Sequence, residues 1–214
     1  MLGTYTLEGL LQRMSLIEDP DLPDAALTAW THSGHEAATA RSFHAGPARR
    51  RALDLACGRG IHALYLHRRG YQVDALNSDR RQLEQARERA RIRNAPIRFI
   101  HSQPLDFKPD RPYDLVIDYG CFRHLGRGRR RRYIDQLELW TTGGTEWILL
   151  VPRPRFPLRG WHPFCREALE RQFTGSFRLL EHSDSTFGLD RLTRFGRLFS
   201  NHHQADVYRF IRRF

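Results

Sequence analysis

Residues 51–79 read RALDLACGRGIHALYLHRRGYQVDALNSD, and this stretch decides the fold. The predicted elements are, in order, a strand at residues 52–57, a turn at Gly58 and Gly60, a helix at residues 61–69 and a strand at residues 71–77. Glycine permits backbone angles that other residues avoid, so the turn can approach a ligand closely. A strand, a glycine turn and a helix in this order are typical of α/β proteins that bind nucleotide-like ligands.

Strands and helices alternate through the rest of the chain. The later predicted strands are residues 97–103, 113–120, 146–151, 177–182 and 207–212, and the later predicted helices are residues 79–93, 129–140 and 162–173. This alternation predicts a Rossmann-like three-layer α/β/α sandwich around a mostly parallel sheet. In such a sheet, ligands bind at the carboxyl ends of the strands, near the point where the strand order reverses.

The composition fits one α/β domain and excludes several classes of protein. The chain has 214 residues, of which 40% are hydrophobic, so it can bury a sizeable core. Residues 1–48 predict a helical extension ahead of a core domain at residues 49–214. No run is long enough to span a membrane, and the start of the chain lacks the order of a secretory signal. We therefore expect a cytoplasmic protein without a membrane partner.

The net charge of +11 raises the question of a nucleic-acid partner. The densest basic run, residues 127–132, reads RGRRRR. It either contacts phosphate groups or forms the solvated start of a helix, and we favour the second interpretation. The three cysteines and eleven histidines show no spacing typical of a metal site, so no metal is predicted.

The glycine turn is compatible with two ligand classes. Gly58, Gly60 and Ala63 satisfy the loose dinucleotide fingerprint, with Asp79 about twenty residues further on. This match is short and arises easily by chance. It keeps a dinucleotide-dependent oxidoreductase open as an alternative.

A longer series of motifs resembles the class I S-adenosylmethionine-dependent methyltransferases, of the type that acts on small molecules. LDLACGRG at residues 53–60 resembles motif I of that family, with Ala56 in place of its first glycine. Further similar segments are GYQV at residues 70–73, YDLVID at 113–118, CFRHL at 121–125, the pair Gly143 and Gly144, and VYRF at 207–210. The resemblance implies a seven-stranded sheet whose last strand is antiparallel, and S-adenosylmethionine as the cofactor.

The resemblance also implies a set of cofactor contacts. Asp54 and the turn residues Ala56, Cys57, Gly58 and Gly60 would face the amino-acid part of the cofactor. The ends of the following strands contribute the other predicted contacts, which are Asn77, Ser78, Gln103 and Asp118.

Two of these contacts depart from the family, because each replaces an acid with an amide. Asn77 matches the carboxylate that binds both ribose hydroxyls, and Gln103 matches the acid that binds the adenine amino group. An amide keeps the shape of the acid but loses the strength of a charge-assisted hydrogen bond. Asp79 either substitutes for Asn77 as a ribose ligand or caps the helix that follows.

The resemblance implies methyl transfer to a small-molecule acceptor. The candidate catalytic residues are His124, a possible base, and Tyr119, which could orient the acceptor. Trp30 in a lid, His124, and Trp161 on the opposite wall are the candidate substrate contacts. Two alternatives stay open: a related fold that binds another ligand or acts as a non-catalytic partner, and an RNA methyltransferase, favoured only by charge. The acceptor atom and the oligomeric state are not predicted.

Overall fold

A computed structural model of the chain describes residues 50–152, 164–187 and 203–214. The predicted helical extension at residues 1–48 lies outside this range, and so do Trp30 and Trp161. The strands are β1 (Arg51–Leu55), β2 (Gln72–Asn77), β3 (Arg98–His101), β4 (Tyr113–Tyr119), β5 (Thr141–Pro152), β6 (Phe177–Phe187) and β7 (His203–Arg212). The helices are α1 (Ile61–Arg68), α2 (Arg80–Ile92), α3 (Cys121–His124), α4 (Arg127–Trp140) and α5 (Arg166–Phe173), with a 3-10 turn at Pro104–Asp106.

The seven strands form one sheet in the order β3-β2-β1-β4-β5-β7-β6. Strands β1 to β5 are parallel to their neighbours, whereas β7 is antiparallel to both β5 and β6. The predicted fold class and the antiparallel last strand are therefore confirmed. The strand order reverses between β1 and β4, so the carboxyl ends of these two strands border the position where such sheets bind ligands.

The core consists of two apolar layers, one on each face of the sheet. One layer is rich in aromatic side chains, and its centre is Trp147, whose ring stacks on Phe210 with 4.9 Å between centroids. The other layer packs the apolar side of α1 and α2, including Ala63, Leu66 and Leu83, against the sheet. Helix α2 exposes most of its arginines and buries Leu83, Ala86 and Ala90, which are three or four residues apart, as its sequence predicts.

Several strands and one helix differ in length from the prediction. Strand β5 begins at Thr141, earlier than expected, because its register with β4 shifts between Tyr113 and Leu115 and so accommodates the glycine pair. Strand β6 extends to Phe187, since it pairs with β7 along its whole length. Helix α5 begins at Arg166, later than predicted, because Cys165 at its N-cap has an extended backbone.

A network of charged and polar side chains surrounds Asp74, among the amino-terminal ends of the strands. This carboxylate accepts hydrogen bonds from Arg51 Nη2 at 3.0 Å, from Arg98 Nε at 2.8 Å and from the Tyr113 hydroxyl at 2.5 Å. The guanidinium of Arg51 also lies over the Tyr113 ring, 4.4 Å from its centroid. The network ties together the starts of β1, β3 and β4, which fixes the strands at the edge opposite the glycine turn.

Candidate functional site

The glycine turn leaves β1 through backbone angles that few side chains tolerate. Ala56, Gly58 and Gly60 all have positive φ, at 56°, 55° and 79°. A Cβ added to Gly60 would lie 3.0 Å from that of Ala86 and 3.2 Å from the Phe99 ring, so the turn packs tightly against α2 and β3. Ala56 adopts the left-handed region without the freedom of glycine, which costs about 1 kcal/mol.

Hydrogen bonds join the turn to the end of β2. The Cys57 amide donates to the Leu76 carbonyl at 2.8 Å, and the Gly60 amide donates to the Cys57 carbonyl at 2.9 Å. The Cys57 side chain is buried, and this burial raises the pKa of its thiol. Cys57 therefore serves as a packed apolar residue of the turn.

Asp54, the last residue but one of β1, is a buried carboxylate directly before the turn. It is fully buried, and neither of its oxygens accepts a hydrogen bond. Burial raises the pKa of Asp54 to about 8; the Ala63 amide opposes this shift without making a hydrogen bond of ordinary geometry, and the Asp118 carboxylate adds to it. A buried acid without a partner is costly, so this position is suited to a cationic or donor group supplied by a ligand.

Asn77, at the end of β2, has its amide turned toward the protein. Its Nδ2 atom donates to the Gly58 carbonyl at 3.3 Å and to Gln82 Oε1 at 3.4 Å. Its Oδ1 atom accepts a hydrogen bond from the Asp79 amide at 3.2 Å. The predicted ribose contact is thus also the residue that links the turn to the start of α2.

Asp79 is the N-cap of α2, which is one of the two roles left open by the sequence. Its Oδ1 atom accepts from the Gln82 amide at 3.1 Å, and its Oδ2 atom accepts from Gln82 Nε2 at 3.0 Å. The neighbouring predicted contact, Ser78, is exposed, and its carbonyl bonds the His101 ring at 3.1 Å. Gln103, the predicted adenine contact, is exposed beyond the end of β3.

Asp118, near the end of β4, uses its carboxylate to build the turn that follows. Its oxygens accept from the Cys121 amide at 2.6 Å, from the Phe122 amide at 2.9 Å and from the Tyr133 hydroxyl at 2.6 Å. Burial raises the pKa of Asp118 to about 6, and these three donors limit the rise. A cofactor contact by Asp118 stays a prediction, and any such contact would share oxygens that already bond the protein.

The residues predicted for catalysis lie just beyond β4. Tyr119 is half-buried, and its ring centroid lies 5.1 Å from that of His62, the second residue of α1. His124 ends the short helix α3 and is exposed. His62 is not among the residues predicted from the sequence; its position two residues after the glycine turn is the signal that could have found it. Burial lowers the pKa of His62 to about 4, so its imidazole is neutral at physiological pH.

Part of the chain is similar to known methyltransferases. A family model described as a methyltransferase domain matches residues 52–143, which contain the glycine turn, Asn77 and Asp118. The ubiquinone biosynthesis O-methyltransferase of Rickettsia akari is 31% identical over 74 residues, or 35% of this chain and 30% of that protein. These matches support the predicted resemblance to the class I S-adenosylmethionine-dependent methyltransferases.

Solved structures share the fold. One, from work on the conversion of a disulfide bond into a thioacetal group during echinomycin biosynthesis, has a TM-score of 0.69 at 21% identity, covering 97% of this chain and 94% of that one. Another, the 1,6-didemethyltoxoflavin-N1-methyltransferase of Burkholderia thailandensis, has a TM-score of 0.64 at 15% identity, covering 96% and 84%. The matches to the curated relatives are partial: they span 30% to 55% of the length of those proteins.

The described residues contain neither a helix that could span a membrane nor a metal site. No helix there is long and apolar enough to cross a membrane. No group of histidine, cysteine and acidic side chains in the same residues is arranged to hold a metal ion.

Proposed function

We propose that this protein transfers a methyl group from S-adenosylmethionine to a small-molecule acceptor. The observation that carries the proposal is Asp54, a buried carboxylate without a hydrogen-bond partner, directly before the glycine turn. The amino-acid end of the cofactor carries an ammonium group, which is the kind of partner that this carboxylate lacks. When bound, the cofactor supplies a methyl group on a positively charged sulfur, which is a good leaving group.

The protein's own contribution is to bind and orient. Asp54 would accept hydrogen bonds from the ammonium group, and the turn at Gly58 would let the cofactor approach the backbone. A Cβ added at Gly58 would meet Gln82 Oε1 at 3.5 Å, and its φ of 55° disfavours any side chain. This geometry fits an adenosyl amino acid lying across the carboxyl ends of β1 and β2.

The acceptor would bind beside β4. Tyr119 and His62 face each other at this position, and we propose that they orient the acceptor atom toward the methyl group. His124 is the proposed base for an acceptor that arrives protonated, because it is exposed at the same end of the sheet. Trp30 and Trp161 remain the proposed lid and wall, and they lie outside the described residues.

The small size of the acceptor rests on similarity and on the local charges. The similar proteins named above act in ubiquinone and toxoflavin chemistry, as their names state. In the basic run, Arg130 bonds the Leu125 carbonyl at 3.0 Å, while Arg131 and Arg132 pair with Asp135 and Asp106. Cytoplasmic action belongs to the same proposal, since all three cysteines are free thiols.

Calorimetric titration with S-adenosylmethionine, S-adenosylhomocysteine and NAD tests the proposal. We expect the first two ligands to bind in the micromolar range and NAD not to bind. Gly58→Val should abolish the binding, because the branched side chain strains the turn and fills the ligand's space. Gly128→Val, in the exposed basic run, is the control. Wild-type protein that binds NAD and neither adenosyl ligand would refute the proposal.

A further inference from the structure

The orientation of the Asn77 amide is determined by backbone groups whose roles are unambiguous. The Asp79 amide can only donate, so the atom that faces it at 3.2 Å must be the oxygen. The Gly58 carbonyl can only accept, so the atom that faces it at 3.3 Å must be the nitrogen. A carboxylate at position 77 would replace this second bond with a repulsion between two oxygens.

Gln82 completes the arrangement from the first turn of α2. Its Nε2 atom donates to the Asp79 carboxylate at 3.0 Å, which leaves its Oε1 atom directed at Asn77 Nδ2. Both hydrogens of the Asn77 amino group are therefore used inside the protein, one by Gly58 and one by Gln82. Asn77 is also buried, since only 7% of its surface is exposed.

We infer that Asn77 is a positioning residue for the glycine turn, and that this site binds its cofactor without reading the ribose diol through a carboxylate. The inference rests on the proposed function. We call Asn77, Gln82 and Asp79 the amide clamp. Asn77 connects the turn to α2 through neutral hydrogen bonds, and Gln82 holds it in that orientation. The clamp should therefore tolerate adenosyl ligands whose ribose hydroxyls are removed or modified.

The inference predicts the ratio between the affinity for S-adenosylhomocysteine and the affinity for the same ligand without its ribose hydroxyls. A carboxylate that accepts from both hydroxyls makes charge-assisted bonds, and losing them would weaken a ligand by roughly a hundredfold or more. Asn77 has at most one free lone pair for a hydroxyl. We expect S-adenosylhomocysteine to bind wild-type protein no more than about fivefold more tightly than the same ligand lacking the 2′ and 3′ hydroxyls.

The test is calorimetry with these two ligands on four proteins: wild type, Asn77→Ala, Gln82→Ala and the control Gln85→Ala. Gln85 lies on the exposed face of the same helix. Asn77→Ala should weaken both ligands equally, by about tenfold, because the turn loses its support. Gln82→Ala should weaken both equally and less strongly, and Gln85→Ala should change neither.

A direct ribose ligand would behave differently. If the wild-type affinity ratio exceeds about thirty, or if Asn77→Ala removes that ratio while leaving the dideoxy ligand unaffected, the inference is wrong. The wild-type ratio decides the matter even if a variant fails to fold. Wild-type protein that binds neither ligand would overturn the proposed function as well, whereas tight binding with a large ratio overturns only this inference.

Discussion

Asp74 and Asp54 are buried carboxylates on neighbouring strands, and they differ in almost every contact. Asp74 receives hydrogen bonds from two guanidinium groups and a tyrosine hydroxyl. Asp54 receives none. Both lie in the same sheet, with Asp74 paired to Leu53 and Asp54 paired to Ala75. The difference shows that the Asp74 carboxylate is satisfied without a ligand, whereas the burial of Asp54 retains a cost that a ligand can remove.

The largest expected effect comes from breaking the network around Asp74. Asp74→Asn removes the negative charge beside the buried Arg51, whose remaining acid partner is the exposed Asp110. It also leaves one amide oxygen where two carboxylate oxygens accept from Arg51, Arg98 and Tyr113. We expect the free energy of unfolding to fall by about 3–5 kcal/mol in urea denaturation. The control is Asp135→Asn, which breaks an exposed pair with Arg131 and should cost less than about 0.5 kcal/mol. A loss below about 1 kcal/mol for Asp74→Asn would contradict the contrast.

At Asp54, replacing the acid with an amide is expected to raise the free energy of unfolding rather than lower it. The folded protein holds its proton up to a pKa of about 8, far above the ordinary value of 3.8. Between these two values the unfolded chain has lost the proton, so the contribution of Asp54 to stability decreases as the pH rises from about 4 to about 8. The amide introduced by Asp54→Asn does not titrate. The difference in unfolding free energy between this variant and wild type should therefore increase, in favour of the variant, by at least about 2 kcal/mol from pH 5 to pH 8.

Urea denaturation of ligand-free protein at the two pH values measures this gain. Every other titrating group is shared, so its effect cancels in the difference between the two proteins. A difference that does not change with pH would show that Asp54 is already ionised and paired.

The same variant should bind S-adenosylhomocysteine at least tenfold more weakly, so stability and binding should change in opposite directions.

A smaller loss of stability is expected when Arg130, in the basic run, is replaced, and almost none when its neighbour Arg129 is replaced. Arg130 bonds the Leu125 carbonyl, and its guanidinium lies 4.5 Å from the Phe164 ring centroid and 5.6 Å from that of Phe122. Arg129, next to it, is exposed. Arg130→Gln should cost about 1–2 kcal/mol in thermal or urea unfolding, and Arg129→Gln less than about 0.5 kcal/mol. Equal effects would show that the aromatic contacts of Arg130 add nothing.

The sequence predicted the features that depend on local pattern. Alternating strands and helices predicted the sheet, because each buried strand reads as an apolar run. The positions of Gly58 and Gly60 predicted the turn, since few other residues tolerate its positive φ angles. Asp79 was recognised as a possible cap from its place before α2, and the structure shows that cap.

The sequence could not predict which polar side chains are already satisfied. Asn77 turns inward because Gln82, five residues later, meets it across the first turn of α2. Asp118, on β4, accepts a hydrogen bond from Tyr133, which lies on α4. These partners are set by packing in three dimensions, so Asp54, Asn77 and Asp118 look alike as strand-end polar residues. His62 was missed for a related reason, because its contact with Tyr119 crosses from α1 to β4.

The central claim is that a ligand satisfies the Asp54 carboxylate, and proton release on binding tests it most directly. Calorimetry of S-adenosylhomocysteine at pH 7, in buffers with different ionisation enthalpies, counts the protons released. Asp54 is mostly protonated at pH 7 in the free protein, and pairing with the ligand's ammonium group ionises it. We predict release of nearly one proton by wild type and none by Asp54→Asn. Tight binding with no proton released by either protein would contradict the account.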